Sequence, residues 1–139
     1  MSNPVAAKIL RMAIRKLKKH GVATSVFVDE KGAYCAAGAI YSAAGASDVA
    51  LAKAGVLTPT KGGFGNTKAF DFQGNVDGAS QEISAALRAL EKVIRRSKFG
   101  GRYGAYRGIY TERGLAQFSD DHPELVISAM EQAYQEVRR

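Results

Sequence analysis

Apolar residues recur at intervals of three and four in three separate stretches of this chain, and that spacing restricts it to a fold built mainly from helices that bury one face each. The first stripe is Ala6, Leu10, Ala13, Ile14 and Leu17, and the second is Ile83, Leu87, Leu90 and Ile94. The third is Val126, Met130, Ala133 and Val137, with Ile127 and Tyr134 beside it. End signals frame each stripe. Asn3 is an N-cap candidate, Pro4 suits the first helical position and Gly21 falls just past the last periodic residue, so a helix is expected from Pro4 to about His20. Asp77 or Ser80 would cap the second helix, which Ser97 and Gly100-Gly101 should end. The third should open around Asp121 to Pro123 and run to about Val137, with Asp120, Asp121 and Glu124 at its start and Arg138 and Arg139 at its end complementing the helix dipole.

The segments between these helices are less regular. Val22 to Val28 is rich in β-branched and aromatic residues and runs into the turn-like Asp29-Glu30-Lys31-Gly32, which fits a short strand or an extended arm. Ala36 to Ala44 is made of small residues around Ile40 and predicts a short helix lying close against a neighbour, stopped by Gly45. Ser47 and Asp48 look like the start of another, with Gly55 at its end. Periodicity vanishes from 56 to 78, where six glycines and prolines predict a long loop. Residues 98 to 110, too glycine-rich for a stable helix and rich in aromatics, predict a hairpin or extended loop. The sum is a mainly α chain, a compact bundle of four to five helices with a short strand or hairpin element. Its core should hold Leu10, Ile14, Leu17, Ile40, Ile83, Leu87, Leu90, Ile94, Val126, Met130 and Val137.

At 139 residues a single domain over 1–139 is expected. No run approaches the roughly 20 apolar residues of a membrane span, and Lys8, Arg11 and Arg15 interrupt any signal-like stretch, so a cytoplasmic protein without a membrane partner is expected. A lone cysteine, Cys35, and two histidines, His20 and His122, offer no metal-ligand spacing, and no cofactor is expected. Cys35 lies in the apolar run Ala33 to Ala37, the setting of a small buried hydrophobe.

Charge is the feature that points furthest toward function. The formal net charge is +7: residues 1–20 carry six basic groups and no acid, and residues 88–113 carry eight against Glu91 and Glu112. Residues 114–139 hold five acids against two arginines, so an electrically two-sided molecule is expected. The Lys61 to Lys68 glycine-rich stretch lacks both the P-loop and the dinucleotide-binding spacing and reads as a flexible loop. Asp120, Asp121 and His122 could serve acid–base chemistry, yet their place before Pro123 is explained by helix-start preferences. No catalytic motif emerges, so a non-enzymatic binding protein is expected. Cations of the first and second helices (Arg11, Arg15, Lys18; Arg88, Lys92, Arg95) and of the following segment (Arg102, Arg107) would neutralise phosphates of DNA or RNA, while Tyr103 and Tyr106 would stack on bases. The alternative is an interaction module, such as an oligomeric phage accessory or virion component, that docks the same face on an acidic protein partner. An enzyme with a pocket between the 56–78 loop and the central helix is a third reading.

The basic first helix ending in Lys-Lys-His-Gly-Val (18–22), the Cys-Ala-Ala-Gly-Ala-Ile segment (35–40) with Ala-Ala-Gly (43–45), and the terminal Pro-Glu-Leu-Val-Ile-Ser-Ala-Met-Glu (123–131) resemble a family of short actinobacterial and actinophage proteins, a domain of unknown function. Those proteins tend to have a tryptophan-containing turn before the last helix, where this chain has Phe118-Ser119-Asp120-Asp121. The segments 56–78 and 98–113 have no counterpart in the resemblance. It implies a fold and an actinobacterial or phage origin, and no activity.

Overall fold

The computed structural model describes residues 3–24, 26–48, 51, 80–103 and 111–139. The first helix, α1, spans Pro4–His20. Its start follows from two residues: the Asn3 side chain accepts from the Ala6 N–H at 3.1 Å, and Pro4 occupies the position whose N–H needs no partner. Gly21 ends it with φ +91°, and its N–H donates to the Leu17 carbonyl at 2.8 Å. The expected stripe is buried throughout, joined by Ala7 and Ile9.

Val22 to Val28 takes the extended-arm form of the expectation. Among the described residues there is no strand, only isolated bridges that join Tyr34 in parallel to Val22 and antiparallel to Val28. The turn at Asp29 reverses the chain by local chemistry: the carboxylate accepts from the N–H groups of Lys31 and Ala33, both at 2.9 Å, and Gly32 takes φ +84°. The returning segment enters α2, Ala36–Ala43. This helix does lie against its neighbour, for a Cβ on Gly38 would sit 2.1 Å from the Phe27 carbonyl oxygen. Gly45 follows with φ +116°. Of the helix expected from Ser47, only Ser47, Asp48 and the buried Leu51 belong to the described residues, as does the 3.0 Å bond from the Leu51 N–H to the Ser47 carbonyl. The 56–78 loop lies outside them.

Helix α3 spans Ser80–Arg95 and buries Ile83, Leu87, Leu90 and Ile94 as the spacing predicts, together with Ala86 and Val93. The stretch from Gly100 to Tyr103 is a short 3-10 turn with Tyr103 buried; the rest of the expected hairpin or extended loop, 104–110, lies outside the described residues. One expectation fails at the end of the chain. A further helix, α4, then runs Thr111–Asp121 and buries Leu115 and Phe118. Asp120 and Asp121 therefore close α4 and do not open the last helix. After a 3-10 turn at Pro123–Leu125, α5 spans Val126–Val137.

Among the described residues five helices share one core, with α1 against α2 and α5, α3 against α5, and α4 against α3 and α2. All the expected core residues are buried except Val137, which is half-buried at the end of α5. Phe27, Phe118, Leu115 and Leu51 add large side chains to that set. The buried hydroxyl of Ser119 accepts from the Ala36 N–H at 2.9 Å, so α4 supplies a partner for an otherwise orphaned donor at the start of α2.

Candidate functional site

Three elements meet around a cleft of about 710 Å³: the outer face of α3, the end of α5 and the start of α1. Arg88, Lys92 and Arg96 line it from α3, and Gln132, Gln135, Glu136 and Arg139 from α5 and the residues after it. Small side chains at Ala6, Ala85 and Ala89 leave the space open, and the Asn3 N–H donates to the Val137 carbonyl at 3.0 Å, which fixes α1 to α5 there. Among the described residues, four cations thus line the cleft against one carboxylate, Glu136. That carboxylate is bonded to Arg96 and accepts from the Gln132 amide at 3.3 Å, and the Arg96 guanidinium holds it below the usual carboxylate range. The pair is solvent-exposed and worth at most about 1 kcal/mol, so an incoming polyanion can compete for Arg96.

Helical geometry explains which expected residues gather here. At about 100° per residue, the α3 positions that line the cleft centre roughly 55° round from Arg88, and Arg95 falls about 20° to the other side. Arg95 points away and bonds Glu91 through two nitrogens, both at 3.2 Å. Arg96, which continues the four-residue series from Arg88 and Lys92, takes the place expected of Arg95; following that series by one more step reveals it in the sequence. Arg139 and the glutamines carried no sequence signal, because only packing brings the end of α5 to α3.

The α1 cations stand outside the cleft. Arg11, Arg15 and Lys18 are exposed, and Lys18 pairs with Glu131 of α5 at 3.0 Å. Arg11 reaches Tyr134, over whose ring the Arg138 guanidinium lies at 5.6 Å; a bond from Arg138, with help from Arg11, lowers the phenol's pKa. Tyr134 is thus an aromatic among cations that sequence reasoning placed with the core. The acids of α5 lie among the cations of α1 and α3, so the expected separation of charge into two sides is blurred by the Lys18–Glu131 and Arg96–Glu136 pairs.

Arg102 is exposed on its 3-10 turn, but Tyr103 is 3% exposed and cannot offer a ring face to a base. Its hydroxyl donates to Asp121 at 2.6 Å, and that bond, with another from Gln117 at 3.0 Å, holds the Asp121 carboxyl below its ordinary range. Tyr106 and Arg107 lie outside the described residues, as does the 56–78 side of the pocket postulated for an enzyme. Phe99, Tyr103, Phe118 and His122 form one aromatic cluster, with Phe99 and His122 4.5 Å apart between ring centres. The imidazole is therefore part of a packed wall, 3.9 Å from Glu124, and its neighbour Asp121 is committed to Tyr103. Cys35 is fully buried, its sulfur accepts from the Gly38 N–H at 3.3 Å, and burial pushes the thiol up to about 12. Such a thiol is a poor nucleophile. Among the described residues no group of three or more His, Cys, Asp or Glu side chains is placed to hold a metal.

The family model of DUF6197, a family of unknown function, matches residues 1–136, and the chain belongs to that family. No curated protein and no solved structure matches it.

Proposed function

We propose that this member of DUF6197 is a non-enzymatic binding protein whose basic cleft receives the phosphate backbone of a nucleic acid. The observation that carries the reading is the grouping of Arg88, Lys92, Arg96 and Arg139 around one concavity where, among the described residues, the one carboxylate is exchangeable. Successive cations on α3 are about 6 Å apart along the helix axis, a pitch comparable to that of successive phosphates along a strand. Each phosphate neutralised releases counterions, so the cleft would supply affinity that depends strongly on salt and not on base sequence. Arg11, Arg15 and Lys18, on the neighbouring face, would extend the positive field and speed encounter.

On this reading the setting is the cytoplasm of an actinobacterium or of an actinophage-infected host, in keeping with the resemblance of the sequence. No helix among the described residues is long and apolar enough to cross a membrane.

The test is binding of single-stranded DNA, duplex DNA and RNA across a salt series, with Lys92→Glu and Arg95→Glu in parallel. Lys92→Glu should weaken binding at least about tenfold and reduce the salt slope by roughly one to two contacts. Arg95→Glu, outside the cleft, should change affinity by less than about threefold. Equal losses in both variants would relocate the site to the exposed cations at large. No binding to any of the three at physiological salt would overturn the reading and leave the cleft as a docking surface for an acidic protein.

A further inference from the structure

A second concavity, of about 570 Å³, adjoins the basic cleft and differs from it in chemistry. Val93, Ile94 and Phe118, all buried, contribute to it alongside the half-buried Phe99, Leu125 and Ala129. Arg96 and Gln132 line both spaces and so form the wall between them. Lys98 lies on the rim, its ammonium 5.4 Å from the centre of the Phe99 ring.

From this juxtaposition we propose that the apolar pocket receives one unstacked base of a single strand whose phosphates lie in the adjoining cleft. The inference rests on the nucleic-acid reading and adds to it a base subsite and a strand preference. A nucleotide couples an apolar, flat base to an anionic phosphate through a short sugar, and the two concavities offer the matching pair of environments across one shared wall. No charged side chain contributes to the apolar part of the pocket among the described residues, and its two cations, Arg96 and Lys98, belong to exposed positions where a phosphate can meet them. Phe99 is held by edge contacts with Tyr103 and Phe118 and by the His122 ring, so the wall is already ordered before a base arrives. A base in a duplex would have to leave its stack and its partner first, which disfavours duplexes. Among the described residues Phe99 is the half-buried ring of this pocket, and contact with a ring tolerates any base, so the subsite distinguishes single from double strands and not one sequence from another.

The experiment compares a short single-stranded DNA with a strand of equal length and charge made entirely of abasic residues, against wild type and Ala129→Leu. Ala129 is half-buried on α5, and leucine there reduces the pocket while being nearly as good a helix former as alanine; a circular dichroism melt checks that the fold is kept. The wild type should bind the intact strand about tenfold more tightly than the abasic one. Ala129→Leu should lose that ratio and bind the abasic strand as wild type does. Equal affinity of wild type for both strands would overturn the base subsite and leave the cleft reading standing. A ratio that survives Ala129→Leu would likewise overturn it, by showing that bases are contacted elsewhere. Failure to bind either strand would defeat the cleft reading, and the subsite with it.

Discussion

Tyr103 and Asp121 show how a residue expected to serve function serves stability instead. The phenol is buried, and desolvation together with its bond to Asp121 raises its pKa, so it remains a donor at neutral pH. Asp121 needs that donor, because a carboxylate in the last turn of α4 faces the negative end of the helix dipole. The sign of the pH dependence follows. The folded-state pKa of Asp121 is lowered, so its contribution to stability is complete above the unfolded value of about 3.9 and is lost as pH falls through the lower folded value. Tyr103→Phe should therefore melt a few degrees below wild type at pH 7, with the gap closing as pH falls below about 4. A gap that persists unchanged to pH 2 would show that Tyr103 contributes by packing alone.

At the scale of elements, α2 is the one whose position is most tightly prescribed. Gly38 lets it pass against the Phe27 carbonyl, so Gly38→Ala should cost about 3 kcal/mol or more in a denaturant titration, since backbone must move on one side or the other. Gly45→Ala meets no atom and carries only the backbone cost of its positive φ, about 1–2 kcal/mol. Similar losses at both positions would contradict the close approach. Helices α1 and α3 are legible because propensity and apolar spacing agree over four turns or more, with the Asn3 cap added at α1. Helix α4 is not legible because Gly114 breaks its propensity and Leu115 and Phe118 are too few to mark its face, so Asp120 and Asp121, which close it, read as the start of the next helix. The arm before α2 was readable as extended chain, but its pairing is made by Tyr34, a tertiary choice that no local pattern records. Half of the cleft was legible for a related reason: Arg88 and Lys92 follow helical spacing, whereas Arg139 reaches them only through the packing of α5 on α3.

For the whole molecule, the expected bundle is present, yet its charges are distributed by contacts between distant segments. Glu131 and Glu136 temper cations of α1 and α3, and Arg88, Lys92, Arg96 and Arg139 gather where α3 and the end of α5 line one cleft. The packing of α1 on α5 also bears on how the chain finds this arrangement. Lys18 and Glu131 are 113 residues apart in sequence, and Ala36 meets Ser119 across 83. Helical bundles in which neighbours in sequence are neighbours in space fold in microseconds to milliseconds, because little chain entropy is lost before contacts form. Here α1 packs on the nearby α2, but its other seat, on α5, forms only when a loop spanning most of the chain has closed. Stopped-flow refolding should accordingly proceed in roughly milliseconds to seconds, the range of mixed and β-rich domains. In its kinetics, then, a mainly helical protein would behave like one held together by distant strand pairs, because its last helix is also one seat of its first.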